Sequence, residues 1–230
     1  AEELANQKSK EIEEIASQLS KYLSPQLYNS IFSGEKKVSI DSEKKFLTVF
    51  FSDIISFTEI SDRMDSAPLT EMLNLYLTKM SEIALSFGGT IDKYIGDSIM
   101  IFFGDPETEG KEKDAINCVK MAIEMQNTMK TLSKKFMKDF NLPYPLNMRI
   151  GINSGECTVG NFGSEKRLDY TVIGGAVNLA SRLESNSPAG KVLISDVTEK
   201  LIRDDINCQK YDQIKAKGIS KPIHTFIPYF

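Results

Sequence analysis

The chain has 230 residues, a formal net charge of −4, 41% hydrophobic and 26% charged residues, three cysteines and one histidine. This is ordinary globular usage, enough for one domain with a helical extension, and its mild acidity gives no reason to expect a nucleic-acid partner. Cys118, Cys157 and Cys208 form no CxxC pair and their number is odd; His224 stands without a ligand cluster. A disulfide framework and a zinc site are therefore not expected, and a reducing, cytoplasmic compartment is.

No apolar run approaches the ~20 residues that span a bilayer, and no signal peptide is visible. The chain opens at Ala1 in charged, helix-forming sequence. We expect a piece of a longer protein whose upstream sensor or membrane domain lies elsewhere. Residues 1–23 read as helix, with Ile12, Ile15, Leu19 and Tyr22 at a/d spacing over roughly two heptads. Such a stripe suits a dimerising signal helix or a surface helix packed on its own domain. Ser24-Pro25 reads as an N-cap and first helical position, and Gly34 as the stop. We place a helical signalling or dimerisation segment with its linker at 1–44 and the main domain at 45–230.

Phe46–Ile54 is nearly continuous apolar sequence, as in a strand buried on both faces. Helical spacing runs from Leu69 to Phe87 through Leu73, Leu77, Met80 and Ala84, then stops at Gly88-Gly89. Thr90–Tyr94 and Ser98–Phe103 predict a hairpin turning at Gly96-Asp97. A long helix is predicted from Lys111 to about Phe140, ended by Pro143 and Pro145. Leu146–Ile152 and Glu156–Asn161 read as two strands joined at Asn153-Ser154-Gly155. A short strand at Tyr170–Ile173 precedes a helix from Ala176 to about Glu184, and the tail alternates strands with a helix near Asp196–Ile202. Hairpins mixed with helical crossovers predict an α+β sheet under helices, not a doubly wound one.

Two carboxylates interrupt this apolar pattern. Asp53 ends the buried strand and Asp97 sits in the hairpin turn. An ionised carboxylate leaving water needs a counter-charge or a metal. If strand and hairpin are neighbours the acids converge, and without histidine or thiolate partners they suit hard cations such as Mg²⁺ or Mn²⁺. Turn and cap roles are the plainer reading of each acid alone. The backbone from Ile54 through Phe57 to Thr58 passes from strand toward helix, where free N–H groups favour phosphate; Ser56 and Thr58 equally suit caps. Farther on, Asn178 and Arg182 are four apart and share one helix face. They offer an amide and a guanidinium to a ribose and a phosphate, or pair with surface acids.

FSDI at 51–54, DKYIGD at 92–97, MRIGINSG at 148–155 and YTVIGGAVNLASRLE at 170–184, in this order, resemble the signature blocks of class III adenylyl and guanylyl cyclases. The resemblance covers about residues 45–230. It implies a ferredoxin-like βαββαβ core, similar to polymerase palm domains, with additional C-terminal strands and helices. It further implies a phosphorus–oxygen lyase that cyclises ATP to cyclic AMP and pyrophosphate, with two Mg²⁺ or Mn²⁺ ions per site and sites shared across a homodimer. By position, Asp53, Asp97 and the Ile54 carbonyl match metal ligands. Lys93 and Thr171 match the base-reading pair. Asn178 and Arg182 match the residues that orient ribose and stabilise the transition state, Arg149 matches a phosphate-binding arginine, and Lys215 resembles a lysine at the terminal phosphates. Ser56 stands where the family usually has Gly, Gly175 where an acid or amide is common, and Thr171 where the larger animal-type branch has Asp. A lysine donates to the adenine N1 acceptor and would oppose the guanine N1–H, so ATP is expected over GTP. A guanylyl cyclase and a non-catalytic nucleotide-binding module are the competing expectations.

Overall fold

The computed structural model describes residues 2–34, 41–214 and 222–230. The chain divides into two compact units at residues 39 and 40. In the first, α1 (Glu2–Leu19) runs through a 3-10 turn at Ser20–Tyr22 to α2 (Pro25–Phe32). Ser24 caps α2, its hydroxyl accepting the Leu27 N–H at 3.3 Å, and Pro25 follows where a missing N–H leaves nothing unpaired. The a/d residues Ile12, Ile15, Leu19 and Tyr22 are all more than half exposed.

The second unit begins with β1 (Ser42–Ile54), so residues 42–44, assigned to the linker from sequence, are strand. After β1 come a short α3 (Phe57–Ser61), α4 (Ser66–Ser86), the hairpin β2 (Thr90–Ile95) and β3 (Ser98–Phe103), and α5 (Lys111–Asp139). Then follow β4 (Met148–Ser164), β5 (Arg167–Ile173), α6 (Gly175–Asn186), β6 (Val192–Ser195), α7 (Asp196–Ile202), β7 (Cys208–Ile214) and β8 (Ile223–Pro228). Among the described residues the eight strands make one mixed sheet in the order β2-β3-β1-β4-β6-β8-β7, with β5 on β4. β1, α4, β2, β3, α5 and β4 are thus a βαββαβ unit with β1 at its centre, the ferredoxin-like core expected.

Alternation along β1 explains its apolar run. Phe50 and Ile54 join the cluster under α4 and α5, while Leu47 and Val49 join the cluster on the opposite face with Val177 and Ala180 of α6. On α4 the fully buried row is Met72, Tyr76, Met80 and Ala84, with Leu69, Leu73 and Leu77 flanking it. Gln126 of α5 donates to the carbonyls of Met148 and Lys191, at 3.0 and 2.9 Å, and so ties the starts of β4 and β6 to one helix.

One strand replaces the two predicted between Leu146 and Asn161. β4 pairs with β1 over thirteen register positions, from Ile54↔Met148 to Ser42↔Gly160, and passes straight through Asn153-Ser154-Gly155. Turn-prone side chains there have partners inside the fold. Asn153 Nδ2 donates to the Ala176 carbonyl at 2.9 Å, and Ser154 Oγ lies 2.8 Å from Thr48 Oγ1 and 3.0 Å from Thr198 Oγ1. Ladder pairing and these bonds override local turn preference. Gly151 fixes how close α6 comes: a Cβ there would lie 2.0 Å from the Glu184 nitrogen and 2.4 Å from the Ala180 oxygen. Only a residue without a side chain allows this approach.

Candidate active site

The chain turns sharply after β1. Ile55 N–H donates to the Asn147 carbonyl at 2.9 Å, and Ser56 takes a left-handed conformation, φ 59° and ψ 24°, a region that favours glycine. Ser56 occupies the cap position of α3 without a side-chain cap hydrogen bond. The backbone N–H groups of Phe57 and Thr58 make no hydrogen bond among the described residues.

This turn brings the two acids together. Asp53 is the penultimate residue of β1, and Asp97 Oδ2 accepts the Ile54 N–H at 2.8 Å across from it. The Asp97 carboxyl is pushed up to about 7, first by burial, then by a hydrogen bond to Asp53 and by the negative charge of that neighbour. Two close carboxylates that resist joint ionisation fit a divalent cation, which supplies the missing positive charge. Oxygen donors suit Mg²⁺ or Mn²⁺, which bind through one or two carboxylates and complete their shells with water and phosphate. Among the described residues no group of three or more His, Cys, Asp or Glu is placed to bind a metal, so a cation here would draw on the two acids and on backbone oxygen.

Arg149 stands where β4 pairs with this end of β1, in register with Asp53. Its Nη2 donates to Asp53 Oδ2 at 2.7 Å, and its Nε lies 2.6 Å from Glu184 Oε1 of α6 in an ion pair. Glu184 was not foreseen. Its carboxyl is shifted up by burial and brought back partly by Arg149. Its signal is faint in sequence, because an acid near a helix C-terminus reads as a solvated side chain.

A second group forms around Asp92. Its side chain is 1% exposed; Oδ2 accepts the Thr171 hydroxyl at 2.5 Å and the Val172 N–H at 3.4 Å, and Oδ1 lies 3.2 Å from Lys93 Nζ. The carboxyl is raised by burial and opposed by Thr171 and Lys93. β5 is held over this part of the sheet by Tyr170, whose hydroxyl donates to Asp105, itself bound by Lys45 at 2.6 Å. The predicted pair Lys93 and Thr171 is therefore joined through an acid that sequence reasoning passed over.

Asn178 and Arg182 are not joined to either group. They lie on one side of α6, make no side-chain hydrogen bond or ion pair among the described residues, and Glu184 sits about 200° around the axis from Arg182. The α6 face that meets Arg149 is the buried one, with Val177, Ala180, Leu183 and Glu184. Lys215 lies outside the described residues. No helix among the described residues is long and apolar enough to cross a membrane.

The adenylate and guanylate cyclase catalytic domain family matches residues 41–228. The chain is 33% identical over 224 residues to the adenylate cyclase, terminal-differentiation specific, of Dictyostelium discoideum, covering 94% of this chain and 10% of that protein. Among solved structures it is similar to the adenylyl cyclase CyaB from P. aeruginosa, at 51% identity and TM-score 0.80, over 83% of this chain and 97% of that one. It is also similar to the guanylyl cyclase Cya2, at 33% identity and TM-score 0.77, over 82% of this chain and 94% of that one. The chain spans from about a tenth to about a third of the length of the curated relatives it matches first.

Proposed function

Because this chain belongs to the adenylate and guanylate cyclase catalytic domain family, we propose that it converts ATP to 3′,5′-cyclic AMP and pyrophosphate at sites shared between two copies of itself. The observation that carries the reading is the pairing of Asp53, near the end of β1, with Asp97, whose Oδ2 accepts the Ile54 N–H at 2.8 Å, an all-oxygen site suited to a hard cation. Asp53, Asp97 and the Ile54 carbonyl would hold two Mg²⁺ or Mn²⁺ ions, which would supply acidification of the ribose 3′-hydroxyl and positive charge for the leaving pyrophosphate.

The chain's own residues do the rest. The 3′-oxygen attacks the α-phosphorus in line, its proton passes to solvent, and the bond to the bridging oxygen breaks to release pyrophosphate. Asn178 holds the ribose ready for attack. Arg182 faces charge growing on the α-phosphate, where a preorganised donor contributes ~3–4 kcal/mol to lowering the barrier. Arg149, Lys215 and the backbone at Phe57 and Thr58 receive the phosphates. Lys93 donates to adenine N1 and Thr171 contacts the 6-amino group.

Two observations support sharing between copies. Asn178 and Arg182 occupy the side of α6 turned from Glu184, the residue linked through Arg149 to Asp53. Tyr94, Ile95 and Ile173, beside Lys93 and Thr171, are 45, 60 and 48% exposed, an apolar surface that a second copy would cover. Purified protein with Mn²⁺ and either ATP or GTP, assayed for cyclic nucleotide and pyrophosphate over a range of protein concentrations, tests the reading. ATP should be cyclised faster, and specific activity should rise with concentration. Absence of pyrophosphate, or faster cyclisation of GTP, overturns it.

A further inference from the structure

The buried carboxylate of Asp92 has no place in the chemistry above, yet it touches both residues proposed to read the base. We infer that Asp92 is a positioning residue for nucleotide selectivity: by taking the hydroxyl proton of Thr171 and anchoring the Lys93 ammonium, it makes Thr171 an obligate hydrogen-bond acceptor toward the base. The inference rests on the proposed reading that a purine is held at Lys93 and Thr171.

A threonine hydroxyl has one proton and two lone pairs, and left to rotate it can serve either an acceptor or a donor. Position 6 of adenine is an amino donor; position 6 of guanine is a carbonyl acceptor. A rotating hydroxyl would satisfy both, and Thr171 alone would then discriminate poorly. Here the proton is committed. Thr171 Oγ1 donates to Asp92 Oδ2 at 2.5 Å, a short, charge-assisted geometry. Lys93 Nζ at 3.2 Å from Oδ1 favours the ionised carboxylate, which has no proton of its own to give. What Thr171 can still offer a ligand is a lone pair, which accepts from the 6-amino group and repels a 6-carbonyl. The same carboxylate restrains the ammonium that meets N1. Asp92 itself is 1% exposed on its side chain, so it acts through its two neighbours and need not touch the nucleotide.

Asp92→Asn keeps the shape and supplies an amide N–H that can donate to Thr171, freeing the hydroxyl proton. The ratio of kcat/KM for ATP to that for GTP should fall about tenfold or more. In a Thr171→Val background the same substitution should lower the ratio much less, since no hydroxyl remains to be oriented and only the hold on Lys93 is lost; an equal fall in both backgrounds would overturn the role given to the Thr171 hydroxyl. Equal losses for both nucleotides, with the ratio kept, would show a structural role and overturn the inference. The unsubstituted protein gives a test that does not depend on a variant folding. ATP should be turned over faster than purine riboside triphosphate, and that faster than 6-methoxypurine riboside triphosphate, which keeps N1 and carries only an acceptor at position 6. A 6-methoxy nucleotide used better than the unsubstituted purine would mean that Thr171 donates to the base, and the inference fails. If the unsubstituted protein prefers GTP or cyclises neither nucleotide, it is the proposed function that fails.

Discussion

At the scale of single residues, Asp97 of the β2–β3 turn carries a pH dependence. Burial, and then the neighbouring Asp53, push the Asp97 carboxyl up to about 7 from the ordinary 3.8. Its protonated form therefore stabilises the fold fully below pH ~4, and that contribution is lost as pH rises through about 7. In chelator, thermal unfolding should move to lower temperature across that window, and Asp97→Asn should flatten the slope. An unchanged slope in the variant would refute the assignment. Arg182→Ala should lower kcat by about 10²–10³-fold with little change in KM, as expected of a group that acts on charge formed during the reaction. Ser56 at φ 59° bears a conformation that costs an L-residue about 1–2 kcal/mol, partly offset by the greater freedom of glycine when unfolded. Ser56→Gly should stabilise by about 0.5–1 kcal/mol in urea titration. Asp53 and Asp97 were legible in sequence because each breaks an apolar run. Asp92 and Glu184 were not. An acid on a hairpin strand or near a helix end reads as solvated, and only the fold shows that Asp92 is buried against Thr171 of β5 and Glu184 against Arg149 of β4.

At the scale of elements, helices were read closely where caps and stops are local chemistry. Ser24, read as a cap, does cap α2; the helix read near Asp196–Ile202 is α7, capped by the Ser195 hydroxyl, which accepts the Thr198 N–H at 3.2 Å. The long β4 was misread because what holds Asn153, Ser154 and Gly155 extended is pairing with Thr48 and its neighbours, more than a hundred residues earlier. The face of α4 was displaced for a related reason: the sheet beneath selects Met72 and Tyr76 over the leucines that spacing favoured. Gly151 carries the sharpest prediction at this scale. A methyl group 2.0 Å from the Glu184 nitrogen forces β4 and α6 apart. Gly151→Ala should cost about 3 kcal/mol in denaturant unfolding and abolish turnover, because α6 carries Asn178 and Arg182. Wild-type stability in this variant would mean that the helix can shift freely.

At the scale of the whole molecule, the motif blocks made the family and the ferredoxin-like core readable, because their order follows the strands they sit on. Sharing of a site between copies is implied by the resemblance alone, since no pattern along one chain states what faces what across two. Mixing settles it by experiment. Asp53→Ala and Arg182→Ala proteins, each inactive alone, should together recover about a quarter of normal specific activity, since half the pairs carry one intact centre of two. No recovery would refute sharing. β4 deserves a last consequence. It sets Arg149 against Asp53 at one end, and farther along it pairs Gly160 with Thr171. In a shared assembly those two stations serve different catalytic centres, so a single unbroken ribbon spans both. Filling one pocket would then be felt at its twin, and calorimetric titration with a non-cyclisable nucleotide should resolve two unequal binding events; two alike would show that the strand does not couple them.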